Sequence, residues 1–122
     1  MKKYNVGFIG LGNVGSKIAN NILKHNNNLF IHDLDKKKAL KLIKDGAVWS
    51  NNLEELSEKS DIIITCLPSP KTVNDVMSNL IPFLNNKHLW IEMSTTDEEE
   101  MIRLSNLCQK KNIETLEAPV TG

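Results

Sequence analysis

The sequence has no excess of either charge and no long apolar run, and both absences narrow the class of protein. Fifteen basic and fifteen acidic residues give the 122-residue chain a formal net charge of zero. Because the two signs are also mixed along the chain, neither nucleic acid nor an anionic membrane is indicated as a partner. No run reaches the roughly 18 apolar residues that a membrane-spanning helix needs.

Only two cysteines are present, and their spacing matches neither a CxxC redox pair nor a zinc site. We therefore expect Cys66 and Cys108 to be reduced thiols in a reducing compartment, and we expect no metal. Cys66 lies in an apolar run and is predicted to be in the core. Lysines at positions 2 and 3 precede an apolar stretch, as in a signal peptide, but glycines interrupt that stretch. The cytoplasm is the expected location.

What is present is the composition of one soluble globular domain, spanning residues 1–122. The chain is 40% apolar and 25% charged, and its length is enough for one domain. Short apolar runs alternate with segments of helical periodicity. Such alternation predicts an α/β fold with a doubly wound, mostly parallel sheet and helices on both faces. The predicted strands are Tyr4–Ile9, Leu29–His32, Ala47–Trp49, Asp61–Cys66, His88–Glu92 and Ile113–Ala118. The predicted helices are Asn13–Lys24, Lys36–Lys44, Leu53–Glu58, Pro70–Leu80 and Glu98–Lys110.

Local signals support several of these elements. Three consecutive isoleucines beginning at Ile62 are typical of a strand that is buried on both faces. Gly46 is expected to end the second helix, and Asn52 is a candidate cap for the third. Asp97 and Glu100 have the spacing of a capping box at the start of the last helix.

The most specific motif is the segment Gly10-Leu11-Gly12-Asn13-Val14-Gly15. It has the G-x-G-x-x-G pattern and lies directly between a predicted strand and a predicted helix, which is the setting of a dinucleotide-binding loop. We expect Gly10 to permit a tight turn, Gly12 to let a diphosphate approach the backbone, and Gly15 to let helix and strand pack closely. The diphosphate would lie on the helix N-terminus. The alternative is a glycine-rich turn that binds nothing.

An acidic residue follows at the position that such a loop requires. Asp33 lies eighteen residues past Gly15, at the end of the second predicted strand. Its carboxylate can accept hydrogen bonds from the adenosine ribose hydroxyls and would repel a 2′-phosphate, which favours NAD over NADP. The alternative is a turn residue or a helix cap. Lys36, Lys37 and Lys38 follow, either as solvated side chains or with one lysine reaching a 2′-phosphate, so NADP stays possible.

Four segments form a larger pattern. They are the residues from Phe8 to Lys24, Cys66-Leu67-Pro68-Ser69-Pro70, Met93-Ser94-Thr95-Thr96 and Glu117-Ala118-Pro119-Val120-Thr121-Gly122. In this order and at these distances they resemble the β-hydroxyacid dehydrogenase family, which includes 3-hydroxyisobutyrate and 6-phosphogluconate dehydrogenases. The resemblance covers the whole chain. It implies a Rossmann-type NAD(P)-binding domain of an oxidoreductase that transfers hydride between the nicotinamide cofactor and a small 3-hydroxy or 2-hydroxy acid or its semialdehyde.

The resemblance also implies roles for single positions. Leu67 and Pro68 would line the cofactor, with Thr72 a weaker candidate, and Thr95 would lie near the nicotinamide. These positions also follow strand ends, where ligands bind in open α/β sheets. The alternatives are an ordinary turn at Leu67 and Pro68 and a helix-start hydroxyl at Thr95.

The last segment resembles the family's loop for the substrate carboxylate, which implies substrate-binding roles for Thr121 and Gly122. Thr121 replaces the family's common serine and keeps the hydroxyl. The family's G-x-x-G-x-G-x-x-x-K-x-x-x-N segment, which carries its acid/base lysine, does not occur in this sequence, so no catalytic residue is assigned. On the same grounds we expect the family's helical second domain to be absent too. We therefore expect a fragment of a longer enzyme that is inactive alone, or else a non-catalytic dinucleotide-binding module. A homo-oligomer is left open.

Overall fold

The computed structural model describes residues 3–94 and 97–119. In these ranges the chain forms a six-stranded sheet with helices between the strands. The strands are Asn5–Ile9 (β1), Asn28–His32 (β2), Val48–Trp49 (β3), Ile62–Thr65 (β4), Leu89–Glu92 (β5) and Glu114–Glu117 (β6). The helices are Asn13–Lys24 (α1), Leu40–Lys44 (α2), Leu53–Lys59 (α3), Pro70–Leu80 (α4) and Glu98–Lys110 (α5), with 3-10 turns at Lys36–Ala39 and Ile81–Phe83.

The sheet confirms the predicted doubly wound architecture. All of its strand pairs are parallel, and the strand order is β3-β2-β1-β4-β5-β6. The order reverses between β1 and β4, which are neighbours in the sheet but not along the chain. A crevice therefore opens at the carboxyl ends of these two strands, where ligands bind in folds of this type.

Two apolar clusters lie on opposite faces of the sheet. One joins α3, α4 and α5 to the sheet and contains Ile63 and Trp90. The other joins α1, the 3-10 turn at Lys36–Ala39 and α2 to the sheet, and it contains Phe8 and Ile64. Consecutive residues Ile63 and Ile64 point into different clusters, which confirms the predicted burial of β4 on both faces.

Most predicted element ends are correct to within one or two residues. Of three predicted local features, one is refined, one is confirmed and one is wrong. The helix predicted over Lys36–Lys44 begins as the 3-10 turn Lys36–Ala39. There the Lys38 amide donates to the Asp35 carbonyl three residues before it, and the Asp35 carboxylate accepts the Lys37 amide. Asn52 caps α3 as predicted, by accepting the Glu55 amide at 2.8 Å. The capping box at α5 is wrong: Asp97 makes no side-chain capping bond, and the Glu100 carboxylate pairs with Arg103 on the next turn.

Within the described ranges, no helix is both long enough and apolar enough to span a membrane.

Two glycines of the loop differ sharply in what surrounds them, which gives a matched test of the fold. A Cβ on Gly15 would lie 2.2 Å from the Gly10 carbonyl oxygen, whereas a Cβ on Gly12 would meet no atom within 4 Å. We expect Gly15→Ala to lower the free energy of unfolding by about 1–3 kcal/mol through overpacking. Gly12→Ala should lower it by less, about 0.5–1 kcal/mol, because glycine is preferred to alanine at a helix N-cap. Urea unfolding of both variants measures the difference, and equal stabilities would contradict this packing.

Candidate functional site

A cavity of about 910 Å³ opens where the strand order reverses. Its walls come from the glycine loop, the segments after β2, β4 and β5, one face of α4, and Leu53 at the start of α3. This volume is within the range of small-molecule and cofactor sites. The topology and the glycine loop therefore converge on one place.

The three motif glycines have separable roles. Gly10 has a φ of +102°, and a Cβ there would lie 2.2 Å from the Cys66 carbonyl oxygen, so the loop lies directly against the end of β4. Gly15 lies against Gly10 and near the Phe8 ring, which confirms the close packing of α1. Gly12 lines the cavity with open space where a side chain would be. The loop is thus held at Gly10 and Gly15 and is open to a ligand at Gly12.

The N-terminus of α1 is left without a side-chain cap. Gly12 occupies the cap position, makes no side-chain hydrogen bond, and is followed by no acidic residue in the first turn. In contrast, Ser69 caps α4 by accepting the Thr72 amide. The residues that begin α1, Asn13, Val14 and Gly15, line the cavity. Uncapped N–H groups and the helix dipole at this end favour an anion.

Asp33 lines the cavity and is tied to the glycine loop. One carboxylate oxygen accepts the Leu11 amide at 2.7 Å, and the other accepts the Asp35 amide at 2.8 Å. Each carboxylate oxygen can accept a further bond, so a diol could still bind there. Beside it, Leu34 is 95% exposed and also lines the cavity. An apolar side chain this exposed at a cavity mouth suits a flat apolar ligand group.

Two of the three lysines after Asp33, Lys36 and Lys38, lie in different surroundings. The Lys36 ammonium lies 5.4 Å from the centre of the Trp49 ring, within the range of a cation–π contact. Lys38 lines the cavity. Lys38 therefore lines the same cavity as Asp33, as the NADP alternative requires, whereas Lys36 packs on an aromatic ring.

The remaining predicted residues divide into described and undescribed positions. Leu67, Pro68 and Thr72 line the cavity, and the Thr72 hydroxyl lies 2.9 Å from the Ser69 hydroxyl. Thr95, Thr121 and Gly122 lie outside the described residues.

The prediction for Cys66 holds only in part: the residue packs against the apolar cluster that contains Phe8 and Ile64, but it is half-buried and lines the cavity. Strand β4 ends at Thr65, so the chain has left the sheet where the apolar run continues. Burial, and secondarily the charge of Glu92, raise the pKa of the Cys66 thiol. Cys108 is buried in the core, and both thiols are free. The described residues hold no cluster of three metal-ligating side chains.

Sequence reasoning missed a buried carboxylate network behind the cavity. Glu92, the last residue of β5, is 1% exposed. Its carboxylate accepts the Thr65 hydroxyl at 2.9 Å and the Ser94 amide at 2.5 Å. Ser94 lines the cavity, and its hydroxyl accepts the Leu67 amide at 2.6 Å. The available signal was an acidic residue ending an apolar strand, directly before the Met93-Ser94 pair of the resemblance.

The ionisation of Glu92 is shifted by its surroundings. Burial raises the pKa of Glu92 above its ordinary value of 4.5, and the charge of Glu117 on β6 acts in the same direction. Hydrogen bonds from Ser94 and Thr65 oppose the shift. Burial is the largest of these effects, so the folded protein holds the Glu92 proton to higher pH than the unfolded chain does.

Comparison with known proteins places this geometry in a family. A family profile described as the NAD binding domain of 6-phosphogluconate dehydrogenase matches residues 5–122. Mouse mitochondrial 3-hydroxyisobutyrate dehydrogenase is 32% identical over 120 residues, covering 96% of this chain and 36% of the mouse protein. An uncharacterized oxidoreductase, YkwC of Bacillus subtilis, is 30% identical, covering 100% of this chain and 43% of that protein. The zebrafish (Danio rerio) cytokine-like nuclear factor N-PAC is 30% identical, covering 96% and 26%.

Solved structures agree on the fold. A protein titled Psf3, in complex with NADP+ and 2-OPP, superposes with a TM-score of 0.91 at 27% identity, covering 96% of this chain and 43% of that chain. A 3-hydroxyisobutyrate dehydrogenase from Mycobacterium tuberculosis superposes with a TM-score of 0.92 at 22% identity, covering 99% and 42%. The chain spans less than half the length of the relatives and structures compared.

The raised pKa of Glu92 predicts a pH-dependent contribution to stability. For an acid whose folded pKa is raised, the contribution is complete below the unfolded value of 4.5 and is lost as pH rises through the folded pKa. We expect the unfolding free energy of the wild-type chain to fall relative to that of Glu92→Gln as pH rises above 4.5. Urea unfolding of both proteins across this range measures the difference. A difference that is constant with pH would contradict it.

Proposed function

Since the chain belongs to the family of the NAD-binding domain of 6-phosphogluconate dehydrogenase, we propose that its glycine-loop cavity binds a nicotinamide dinucleotide with the diphosphate on the N-terminus of α1. The observation that carries this proposal is the uncapped start of α1, which opens beside the space that Gly12 leaves. An anion there would meet unpaired N–H groups without displacing a side chain.

The rest of the cavity suits the two ends of such a ligand. At one end, Asp33 would accept the hydroxyls of the adenosine ribose, and Leu34 would cover the adenine. At the other end, Leu67, Pro68 and Ser94 would form the wall beside the nicotinamide. We propose that Thr95 adds a hydroxyl to that wall. When bound, the nicotinamide supplies or accepts the hydride, and the residues of this chain bind and orient the cofactor.

We propose that NAD is the preferred cofactor and that NADP binds more weakly. The Asp33 carboxylate would repel a 2′-phosphate at the ribose. Lys38 lines the same cavity and would offset part of that repulsion. The discrimination is therefore expected to be moderate rather than absolute.

The whole enzyme is proposed to act on a small 3-hydroxy or 2-hydroxy acid and its semialdehyde, and the 3-hydroxy alternative is supported by two relatives that are named 3-hydroxyisobutyrate dehydrogenase. Thr121 and Gly122 would bind the substrate carboxylate. Hydride transfer to a carbonyl also needs a proton donor within reach of the new alkoxide. No lysine or histidine of the described residues lines the end of the cavity at Leu67 and Ser94. We therefore propose that this chain alone binds the cofactor without turnover.

A non-catalytic dinucleotide-binding module is the second candidate. It is favoured by one observation: a relative that matches 96% of this chain carries the name of a nuclear factor rather than that of an enzyme. Both candidates require dinucleotide binding, so a binding measurement comes before any test of turnover.

Titration of NADH and NADPH by calorimetry tests the cofactor assignment. The wild-type chain should bind NADH more tightly than NADPH. In Asp33→Asn the amide oxygen can still accept the Leu11 amide, but the negative charge is gone. We therefore expect the dissociation constant for NADPH divided by that for NADH to fall by about tenfold, or 1.4 kcal/mol. An unchanged ratio would overturn the role of Asp33.

The same titration on Gly12→Ala tests where the diphosphate lies. The added methyl group would occupy the open space, so NADH should bind at least about tenfold more weakly. Because a Cβ at this position meets no protein atom within 4 Å, the circular dichroism spectrum should not change. Full NADH affinity in this variant would argue against a diphosphate at Gly12.

A further inference from the structure

A continuous chain of hydrogen bonds runs from inside the sheet to the cavity wall. Thr65 and Glu92 are register partners at the ends of β4 and β5. The Trp90 indole donates to the Thr65 hydroxyl at 2.9 Å, and that hydroxyl donates to Glu92. Glu92 then holds Ser94, whose hydroxyl accepts the Leu67 amide. In addition to their backbone pairing, the two strand ends, 27 residues apart in sequence, are thus linked through one carboxylate.

Burying the Glu92 carboxylate costs free energy that an apolar residue at this position would not cost, so its presence calls for a structural reason. Isolated buried carboxylates are strongly disfavoured, and hydrogen bonds offset only part of the cost. Here both oxygens are used, one by β4 and one by the segment after β5. The carboxylate therefore holds Ser94 through its backbone amide, and the hydroxyl of the same residue accepts the Leu67 amide.

We propose that Glu92 is a positioning residue of the dinucleotide site, which fixes the Leu67 backbone at the cavity wall through Ser94. The proposal rests on the proposed function. Glu92 itself does not line the cavity, so it acts through Ser94 and Leu67, both of which do. Without it, the Leu67 amide loses its oriented acceptor, and the wall beside the proposed nicotinamide position loosens.

The test compares three changes along this chain of hydrogen bonds. Glu92→Leu removes both oxygens at similar volume, and Ser94→Ala removes only the acceptor of the Leu67 amide. Glu92→Gln can keep an oxygen on Ser94 and donate to the Thr65 hydroxyl. We expect at least tenfold weaker NADH binding for Glu92→Leu and for Ser94→Ala, and a change below threefold for Glu92→Gln.

The double variant separates positioning from general destabilisation. If Glu92 acts through Ser94, Glu92→Leu combined with Ser94→Ala should bind NADH no more weakly than the weaker single variant. Ser60→Ala is the matched control, because it removes a buried serine hydroxyl that donates to the Leu56 carbonyl at 2.7 Å, away from the cavity. It should bind NADH as the wild type does.

A second readout does not depend on NADH. In the 15N-labelled chain, the Leu67 amide proton should shift upfield in Ser94→Ala and in Glu92→Leu alike, because each change removes or misorients its acceptor. If Glu92→Leu does not fold, Ser94→Ala and Glu92→Gln still carry the test.

The outcomes separate the two proposals. Unchanged NADH affinity in Glu92→Leu and Ser94→Ala, with a wild type that binds, would overturn the positioning role alone. A loss of NADH affinity in the double variant equal to the sum of the losses in Glu92→Leu and Ser94→Ala would also overturn the positioning role. A folded wild type that binds neither NADH nor NADPH would overturn the proposed function and this role with it.

Discussion

The β1–α1 loop can lie on the end of β4 only because Gly10 and Gly15 have no Cβ atoms. A methyl group at Gly10 would collide with the Cys66 carbonyl, and one at Gly15 would collide with Gly10 itself. These two close approaches set the position at which α1 starts, and they bring its uncapped N-terminus to the reversal in strand order. The cavity, the open space at Gly12 and the contact of Asp33 with the loop all depend on that placement.

A second constraint acts from the opposite wall. The Met93 amide donates to the Thr65 carbonyl, but beyond that bond the segments that follow β4 and β5 are joined by side chains. Glu92 supplies that connection, and burial raises its pKa as a consequence. One wall of the cavity is therefore positioned by close backbone packing at glycines, and the other by hydrogen bonds to a buried carboxylate.

Much of the fold could be predicted from the sequence because its signals are local. The alternation of elements, the cap at Asn52 and the glycine pattern each depend on residues within a few positions of one another. The features that were missed depend on long-range pairing or on competition. Cys66 continues an apolar run after β4 has ended, and Glu100 pairs with Arg103 rather than with the helix start. The role of Glu92 is visible only once the register brings Thr65 beside it.

The central claim is that the start of α1 is the diphosphate site, and an NMR titration of the 15N-labelled chain with NADH tests it most directly. Residue-resolved shifts show where the ligand lies as well as whether it binds. The account predicts that the largest saturable shifts occur at the amides of residues 11–15, with further shifts at Asp33 and Leu67. Saturable shifts confined to another surface, with these amides unchanged, would contradict it.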